Sequence, residues 1–277
     1  MTAIRVRAPG TTANLGPGFD CAAAALDLWN ELEVGEGDGE PDLDHLGVRA
    51  FGRIASVEGR SFRWTDRIPR ARGLGSSAAV IALGLVAGAI AEGQSPDAES
   101  LLAEGVELEG HADNLAAALA GGVCLTWENR IARIADALPA VAIAAVPEAT
   151  VSTSASRAAL PASVPHAEAA FTTARATLLG AALAAGSREL FAAALADRLH
   201  EPYRAADAPV LGAVRADPPP GALGATLSGS GPTVIVWASD DGAADCQREL
   251  LDRFPAAQVL RLGIAAHGAV APPGQRS

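Results

Sequence analysis

The chain has 277 residues, 49% of them hydrophobic, and a formal net charge of -11. That length and apolar content allow a sizeable core in one large domain or two small ones. The acidic balance, with no basic stripe and no aromatic–basic interleaving, argues against a nucleic-acid partner and suits a cytoplasmic protein. All 21 basic residues are arginine, and the lack of lysine excludes a Walker phosphate loop, protein-kinase chemistry and a lysine Schiff base. The longest apolar run, 78–91, is too short for a membrane span, and Met1 leads directly into "AIRVRAP" with no signal-peptide layout. No membrane association is therefore expected. Cys21, Cys124 and Cys246 stand far apart, without metal or disulfide spacing, and read as small buried hydrophobes.

Residues 4–8 predict a short strand. Residues 10–20, "GTTANLGPGFD", predict a structured loop, being too rich in Gly, Pro and Asn for an element interior. "CAAAALDLWNELEVGE" predicts a strand pair, and strand-like pieces follow at 47–55 and 61–65. Residues 75–92 are apolar on every face and predict a buried helix. Ser95 as cap, Pro96 in the first turn and Glu99 after it predict a helix that runs to about Glu109. "GHADNLAAALAGG" predicts a turn, a short helix and a glycine stop. A hairpin is expected at 122–127 and 131–134, and a buried strand at 140–147. Helices are expected at 165–184, 187–199 and 207–216. "GALGATLSGSGPTVIVWAS" predicts strand, glycine loop, strand; a helix at 241–254 and a strand at 257–264 close the fold. The tail "APPGQRS" is expected to be disordered. Alternating elements up to about residue 148, then helices and a βαβ-like end, predict two parts in an α/β or α+β class.

Four stretches carry chemistry. In "PRARGLGSSAAV", which begins at Pro69, Gly73 and Gly75 let the backbone approach a ligand. Ser76 and Ser77 place hydroxyls at a helix start, where free N–H groups and the helix dipole favour an anion. A phosphate fits such a loop; a capped, buried helix with a tight entry turn would also account for it. Gly73-x-Gly75-x-x-Ala78 matches a loose dinucleotide pattern, but "RWTDRIPRAR" before it is charged and broken by proline, and a helix follows instead of a strand. "TTANLGPGFD" sets Asn14 and Asp20 on a turn stiffened by Pro17. "LEGHADN" gathers Glu109, His111, Asp113 and Asn114 at a helix end, where capping alone could also place them. "LSGSGPTV" from Leu227 is a glycine loop between strands.

In this order and spacing the stretches resemble the GHMP kinase superfamily, whose three motifs match residues 9–20, 69–79 and 227–234. "ANLGPGFD", "EGHADN", "STSASRAALP" and "LHEPYR" resemble its homoserine kinase family, and together they cover the chain from end to end. The resemblance implies an α+β GHMP kinase fold. An ATP-binding N-terminal part, 1–148, would resemble ribosomal protein S5 and carry a left-handed βαβ unit; a ferredoxin-like C-terminal part would span 149–277.

The resemblance also implies ATP and Mg²⁺. The triphosphate would lie on the loop of Pro69, Arg70, Ala71, Arg72, Gly73, Leu74, Gly75, Ser76, Ser77, Ala78 and Ala79. Ser77 and Glu109 would hold the metal, with Ser76 and Glu107 as near alternatives. The acceptor would be L-homoserine, phosphorylated to O-phospho-L-homoserine in threonine biosynthesis. Asn14, Asp20 and Asp113 suit its ammonium, Arg157 and Arg204 its carboxylate, and His111 would line the pocket. Apart from the resemblance, surface ion pairing would account for both arginines. Asp113 would serve either as a base or as a substrate-binding group, and Asn114 would hold the hydroxyl in line. A homodimer is implied too. The alternatives are a kinase of another small alcohol, such as L-threonine or mevalonate, and a non-catalytic amino-acid sensor, for which a magnesium pair would have no use. Thr12 departs from the serine usual in the first motif, and the short, arginine-rich 35–65 region places no adenine contacts. Trp29, Trp64, Trp127 and Trp237 read as core.

Overall fold

A computed structural model describes residues 3–271, so the predicted tail beyond Ala271 lies outside the described residues. Strands β1 (Ile4–Asn14) and β2 (Gly18–Glu36) form one long antiparallel hairpin. The loop expected over 10–20 shrinks to residues 15–17, and the expected strand pair is one strand. Small side chains decide this: Thr11, Thr12, Ala13 and the four alanines at 22–25 are all buried in the sheet, and burial outweighs the turn-like composition. The turn-forming residues leave their mark as register breaks between Pro9 and Gly10 and between Ala13 and Asn14.

Helix α1 (Leu46–Gly52) replaces the strand expected at 47–55. A short apolar run cannot distinguish helix from strand by itself, and His45 settles it by accepting a hydrogen bond from Gly47 N at its Nδ1. Strand β3 (Arg60–Thr65) then pairs with β2. Helix α2 (Ser76–Ala91) is buried continuously from Ala78 to Ala89. Helix α3 (Ala98–Glu109) is capped by Asp97, which accepts from Ser100 N, in place of the expected Ser95. Helix α4 (Ala112–Ala120) leads into the hairpin of β4 (Val123–Trp127) and β5 (Arg130–Ala135). β3 and β4 both pair antiparallel with β2 on the edge opposite β1, so the segment containing α2, α3 and α4 is a crossover between two co-directional strands.

Strand β6 (Val141–Val146) starts the second sheet. Five helices follow: α5 (Thr153–Ala158), α6 (His166–Ala185), α7 (Arg188–Ala194), α8 (Glu201–Arg204) and α9 (Pro209–Ala216). Then come β7 (Ala222–Leu227), β8 (Val234–Ala238), α10 (Ala243–Arg253) and β9 (Gln258–Leu262). The antiparallel strand order β7-β8-β6-β9 is that of a ferredoxin-like unit. The helix expected at 187–199 stops at Ala194, because Asp197 binds the backbone amides that follow it. β6 precedes residue 148 in sequence and yet sits between β8 and β9.

Both faces of the second sheet are covered, which is why β6 and β8 read as unbroken apolar runs. Ala142, Ala144, Val146, Ile235 and Trp237 join the large core beneath the first sheet, whereas Ile143, Ala145, Val234 and Val236 pack with Val210, Leu211 and Leu250 of α9 and α10. Trp237 is fully buried, edge-on to Phe191. Trp127 departs from the core expectation: it is 50% exposed, with Arg130 over its ring. Among the described residues no helix is long and apolar enough to cross a membrane.

Candidate active site

One cleft of about 470 Å³ draws together the β1–β2 turn, the loop before α2, the α3–α4 junction, and the segments that follow β6 and β7 at one end of the second sheet. The loop before α2 is locked in place by its glycines. Gly73 (φ 79°) and Gly75 (φ 64°) lie in the left-handed region. A Cβ on Gly73 would stand 2.2 Å from the Ser228 carbonyl oxygen, and one on Gly75 1.8 Å from Thr11 Oγ1. Ser228 Oγ ties the glycine loop after β7 to this loop, 2.6 Å from the Gly73 carbonyl oxygen. Gly75 is the N-cap of α2, and among the described residues no side chain caps that end. Its first-turn amides are therefore available to an anion.

Arg70, Ala71, Arg72, Gly73, Gly75, Ser76 and Ser77 line the cleft, whereas Pro69, Leu74, Ala78 and Ala79 do not. Leu74, Ala78 and Ala79 are buried and anchor the loop from behind. Arg70 pairs with Asp66, and Arg72 donates to the carbonyls of Pro147 and Glu148, each at 2.8 Å. Both guanidinium groups are thus held in place by the protein.

Ser77 Oγ donates to Glu109 Oε1 across 2.9 Å. Burial pushes the Glu109 carboxyl up to about 7, the Ser77 hydrogen bond pulls it back, and the Asp113 charge adds to the rise. Glu107 points away, exposed and ion-paired with Arg53 at 2.9 Å. Among the described residues no group of three or more His, Cys, Asp or Glu is arranged to hold a metal. What the cleft offers is one carboxylate and one hydroxyl side by side, the small set of hard oxygens that Mg²⁺ takes from a protein when phosphates supply the rest.

Asp113 and Asn114 open α4 at the cleft wall. Asp113 is buried, which pushes its carboxyl up to about 6; the Asn114 backbone hydrogen bond opposes this, Asp20 adds to it, and Arg157 opposes it. Thr11 Oγ1 donates to Asn114 Oδ1 at 2.6 Å. That contact fixes the amide's orientation, with its Nδ2 3.5 Å from Asp113 Oδ1. The Asn14 amide is engaged by the protein: Nδ2 donates to the Gly229 carbonyl at 3.0 Å and Oδ1 accepts from Asp20 N at 3.1 Å.

Asp20 and Arg157, placed on opposite charges of one ligand by the sequence reading, hold each other in a two-pronged pair at 2.7 and 3.1 Å. Arg157 Nε also donates to His111 Nε2 at 2.6 Å. Arg204 is only 4% exposed, and no carboxylate pairs with it among the described residues. Phe19 stacks on His200 at 4.9 Å and lies beneath both guanidinium groups. Sequence reading missed Thr11, Phe19, His200 and Ser228, and also Asp44, His45 and Leu46 on the far rim. "LHEPYR" held a signal for His200, "LSGSGPTV" one for Ser228 and "ANLGPGFD" one for Phe19. Thr11 lay in a stretch read as loop.

Residues 45–122 match the family described as "GHMP kinases N terminal domain", and residues 179–256 that described as "GHMP kinases C terminal". The chain is 40% identical to a homoserine kinase of Synechococcus sp., with 91% of each chain covered. It is 38% identical to a homoserine kinase of Streptomyces avermitilis, over 96% of this chain and 95% of that one. Among solved structures, the homoserine kinase from Cytophaga hutchinsonii superposes with a TM-score of 0.84 at 25% identity, covering 98% of both chains. Matches of this extent, with the glycine loop, the Ser77–Glu109 pair and the arginine cluster facing one cleft, mean that the chain belongs to the homoserine kinase family of the GHMP kinases.

Proposed function

We propose that this protein transfers the γ-phosphoryl group of ATP to the side-chain hydroxyl of L-homoserine, giving O-phospho-L-homoserine for threonine biosynthesis. The observation that carries this reading is the Asp20–Arg157 pair at the mouth of the same cleft that holds the open N-terminus of α2. An amino-acid zwitterion can replace that pair by inserting its ammonium against Asp20 and its carboxylate against Arg157. No charge is then left unpaired, so the exchange avoids the penalty of stranding an ion in a half-buried site. Arg204 supplies a second, already desolvated guanidinium for the carboxylate, and His111 lines the pocket while holding Arg157.

At the other end, the residue 70–77 loop receives the triphosphate through backbone N–H groups and hydroxyls, as a chain without lysine requires. Ser77 and Glu109 would hold Mg²⁺, which when bound neutralises phosphate charge. Asn114, fixed by Thr11, donates to the acceptor hydroxyl and keeps it in line. Asp113 takes the ammonium together with Asp20. A loose phosphoryl-transfer transition state needs this positioning more than early deprotonation. A cytoplasmic homodimer, with ATP bound by an N-terminal part ending near residue 148, belongs to the same reading and rests on the family resemblance. A coupled ADP-release assay across homoserine, threonine, serine and mevalonate tests the assignment. Homoserine should give the highest kcat/KM; equal or better turnover of mevalonate refutes it.

A further inference from the structure

We infer that His200 is a positioning residue that sets the carboxylate-binding fork of Arg204; this rests on the homoserine reading above. His200 is fully buried and both its ring nitrogens are engaged. Nε2 lies 2.8 Å from the Gly16 carbonyl oxygen, and Nδ1 lies 3.2 Å from Arg204 Nη1. A carbonyl only accepts and a guanidinium only donates. The two contacts are therefore satisfied together by one species, the neutral imidazole with its proton on Nε2 and its lone pair on Nδ1. Burial drives the His200 pKa below its usual value, in keeping with the neutral form.

Asp197 does not compete for the ring. Its Oδ2 stands 3.6 Å from Nε2, and its oxygens are occupied by the backbone amides of Leu199, His200 and Glu201 at 3.0, 2.8 and 2.9 Å. Those three bonds fix the backbone from which the ring projects. Phe19, three residues beyond Gly16 and at the start of β2, covers one face of the ring.

Arg204 has five N–H groups. Nε donates to the Ser156 carbonyl, and Nη1 donates to His200 and to the Gly229 carbonyl, each within 3.3 Å. Both protons of Nη2 are left without a protein partner among the described residues, on a side chain that lines the cleft. His200 thus holds the guanidinium plane so that Nη2 faces the ligand. It also couples that orientation to the β1–β2 turn, which leads into the start of β2 and Asp20, the residue opposite Arg157.

Two amide substitutions separate the roles of the ring. In His200→Asn the side-chain oxygen can stand where Nδ1 stands, keeping the acceptor for Arg204 and losing the donor to Gly16. In His200→Gln the terminal amide nitrogen can stand where Nε2 stands, keeping the Gly16 donor and losing the acceptor. We expect His200→Gln to raise KM for homoserine about 10-fold, the scale of losing one oriented bond to a charged group, with kcat and KM for ATP within about 2-fold. His200→Asn should keep KM for homoserine within about 3-fold of the wild type.

Equal KM increases in both variants, or none in His200→Gln, overturn the inference. So does a parallel loss in both substrates that tracks a lower Tm, the signature of packing alone. Should either variant fail to fold, the tautomer can be read in ¹⁵N-labelled wild type by long-range ¹H–¹⁵N correlation. A neutral His200 with its proton on Nε2 supports the assignment; an Nδ1 proton or an imidazolium at pH 7.5 overturns it. Wild-type turnover reports separately on the function. If another carboxylate-bearing alcohol is preferred, the homoserine assignment falls and the variants are read on that acceptor. An acceptor without a carboxylate overturns the inference itself.

Discussion

Ser77 Oγ and Glu109 Oε1 meet at 2.9 Å, joining the first turn of α2 to the last residue of α3. The contact spans 32 positions of sequence, and it leaves a desolvated carboxylate with no basic partner among the described residues, at the end of the cleft nearest the anion loop. Glu109→Gln keeps the shape and removes the charge that would hold a dication. We expect kcat to fall about 10²-fold or more, the scale of losing one electrostatic contact to a transition state, while ATP binding weakens less. Steady-state kinetics at varied Mg²⁺ measure both. Glu107→Gln removes a surface partner of Arg53 and should stay near wild type. The reverse ranking of the two variants would place the metal on Glu107.

Arg204→Lys keeps the positive charge and loses the planar fork. A lysine cannot reproduce three bonds to Ser156, His200 and Gly229 and still present two donors to a ligand. KM for homoserine should rise by an order of magnitude or more, from a loss of about 1.5–3 kcal/mol of charge-assisted bonding, with KM for ATP little changed. A matched rise in both constants would point to a folding defect.

What the sequence made legible, and what it hid, follows from how local each signal is. Helix α2 announces itself because residues 78–89 are apolar all round and buried all round. Gly73 and Gly75 are legible as a loop because their positive φ angles are a local property. Residues 10–14 are not: whether "GTTAN" is loop or strand depends on alanines 22–25, which lie across the hairpin and bury it. α1 reads equally well as a strand until His45 caps it. In the site, Glu109, His111, Asp113 and Asn114 are visible as a cluster. The Asp20–Arg157 pair bridges 137 positions and the Thr11–Asn114 bond 103. No spacing rule reaches across such distances; only the fold brings these groups together.

Glu201 gives a stability test outside the cleft. It is fully buried, accepts from Leu227 N at 2.7 Å and is ion-paired with Arg215. Burial pushes its carboxyl up to about 7, against the pull of Arg215, while its unfolded value is near 4.5. The folded state therefore holds the extra proton between those values, and the contribution of Glu201 to stability falls as pH rises through that window. Arg215→Met removes the main force favouring the carboxylate, which raises the folded pKa further. The variant should lose on the order of 2 kcal/mol at pH 8, below the full cost of breaking a buried pair because Arg215 is partly exposed, and less at pH 5.5, where Glu201 is protonated. Urea denaturation at the two pH values measures this, and equal losses at both would contradict a buried carboxylate held charged by Arg215.

Asp113→Asn separates binding from base catalysis. As a general base on the acceptor hydroxyl, Asp113 would be worth about 10²–10⁴-fold in kcat, and its amide would leave KM for homoserine nearly unchanged. As a partner of the substrate ammonium, the same change should mainly raise KM, while kcat at saturating homoserine survives. The geometry favours the second outcome. Asp113 Oδ1 already accepts from Asn114 N at 2.7 Å, and Asp20 lies close enough to raise its pKa, so the two carboxylates form an anionic wall suited to a cation. Asn114, with its oxygen held by Thr11 at 2.6 Å, is the neighbour left to orient the hydroxyl. The hydroxyl proton can leave late, to the transferring phosphoryl group itself. A homoserine titration of Asp113→Asn at saturating ATP decides the matter: a raised KM with kcat retained assigns the ammonium to Asp113, and a collapsed kcat at unchanged KM makes it the base.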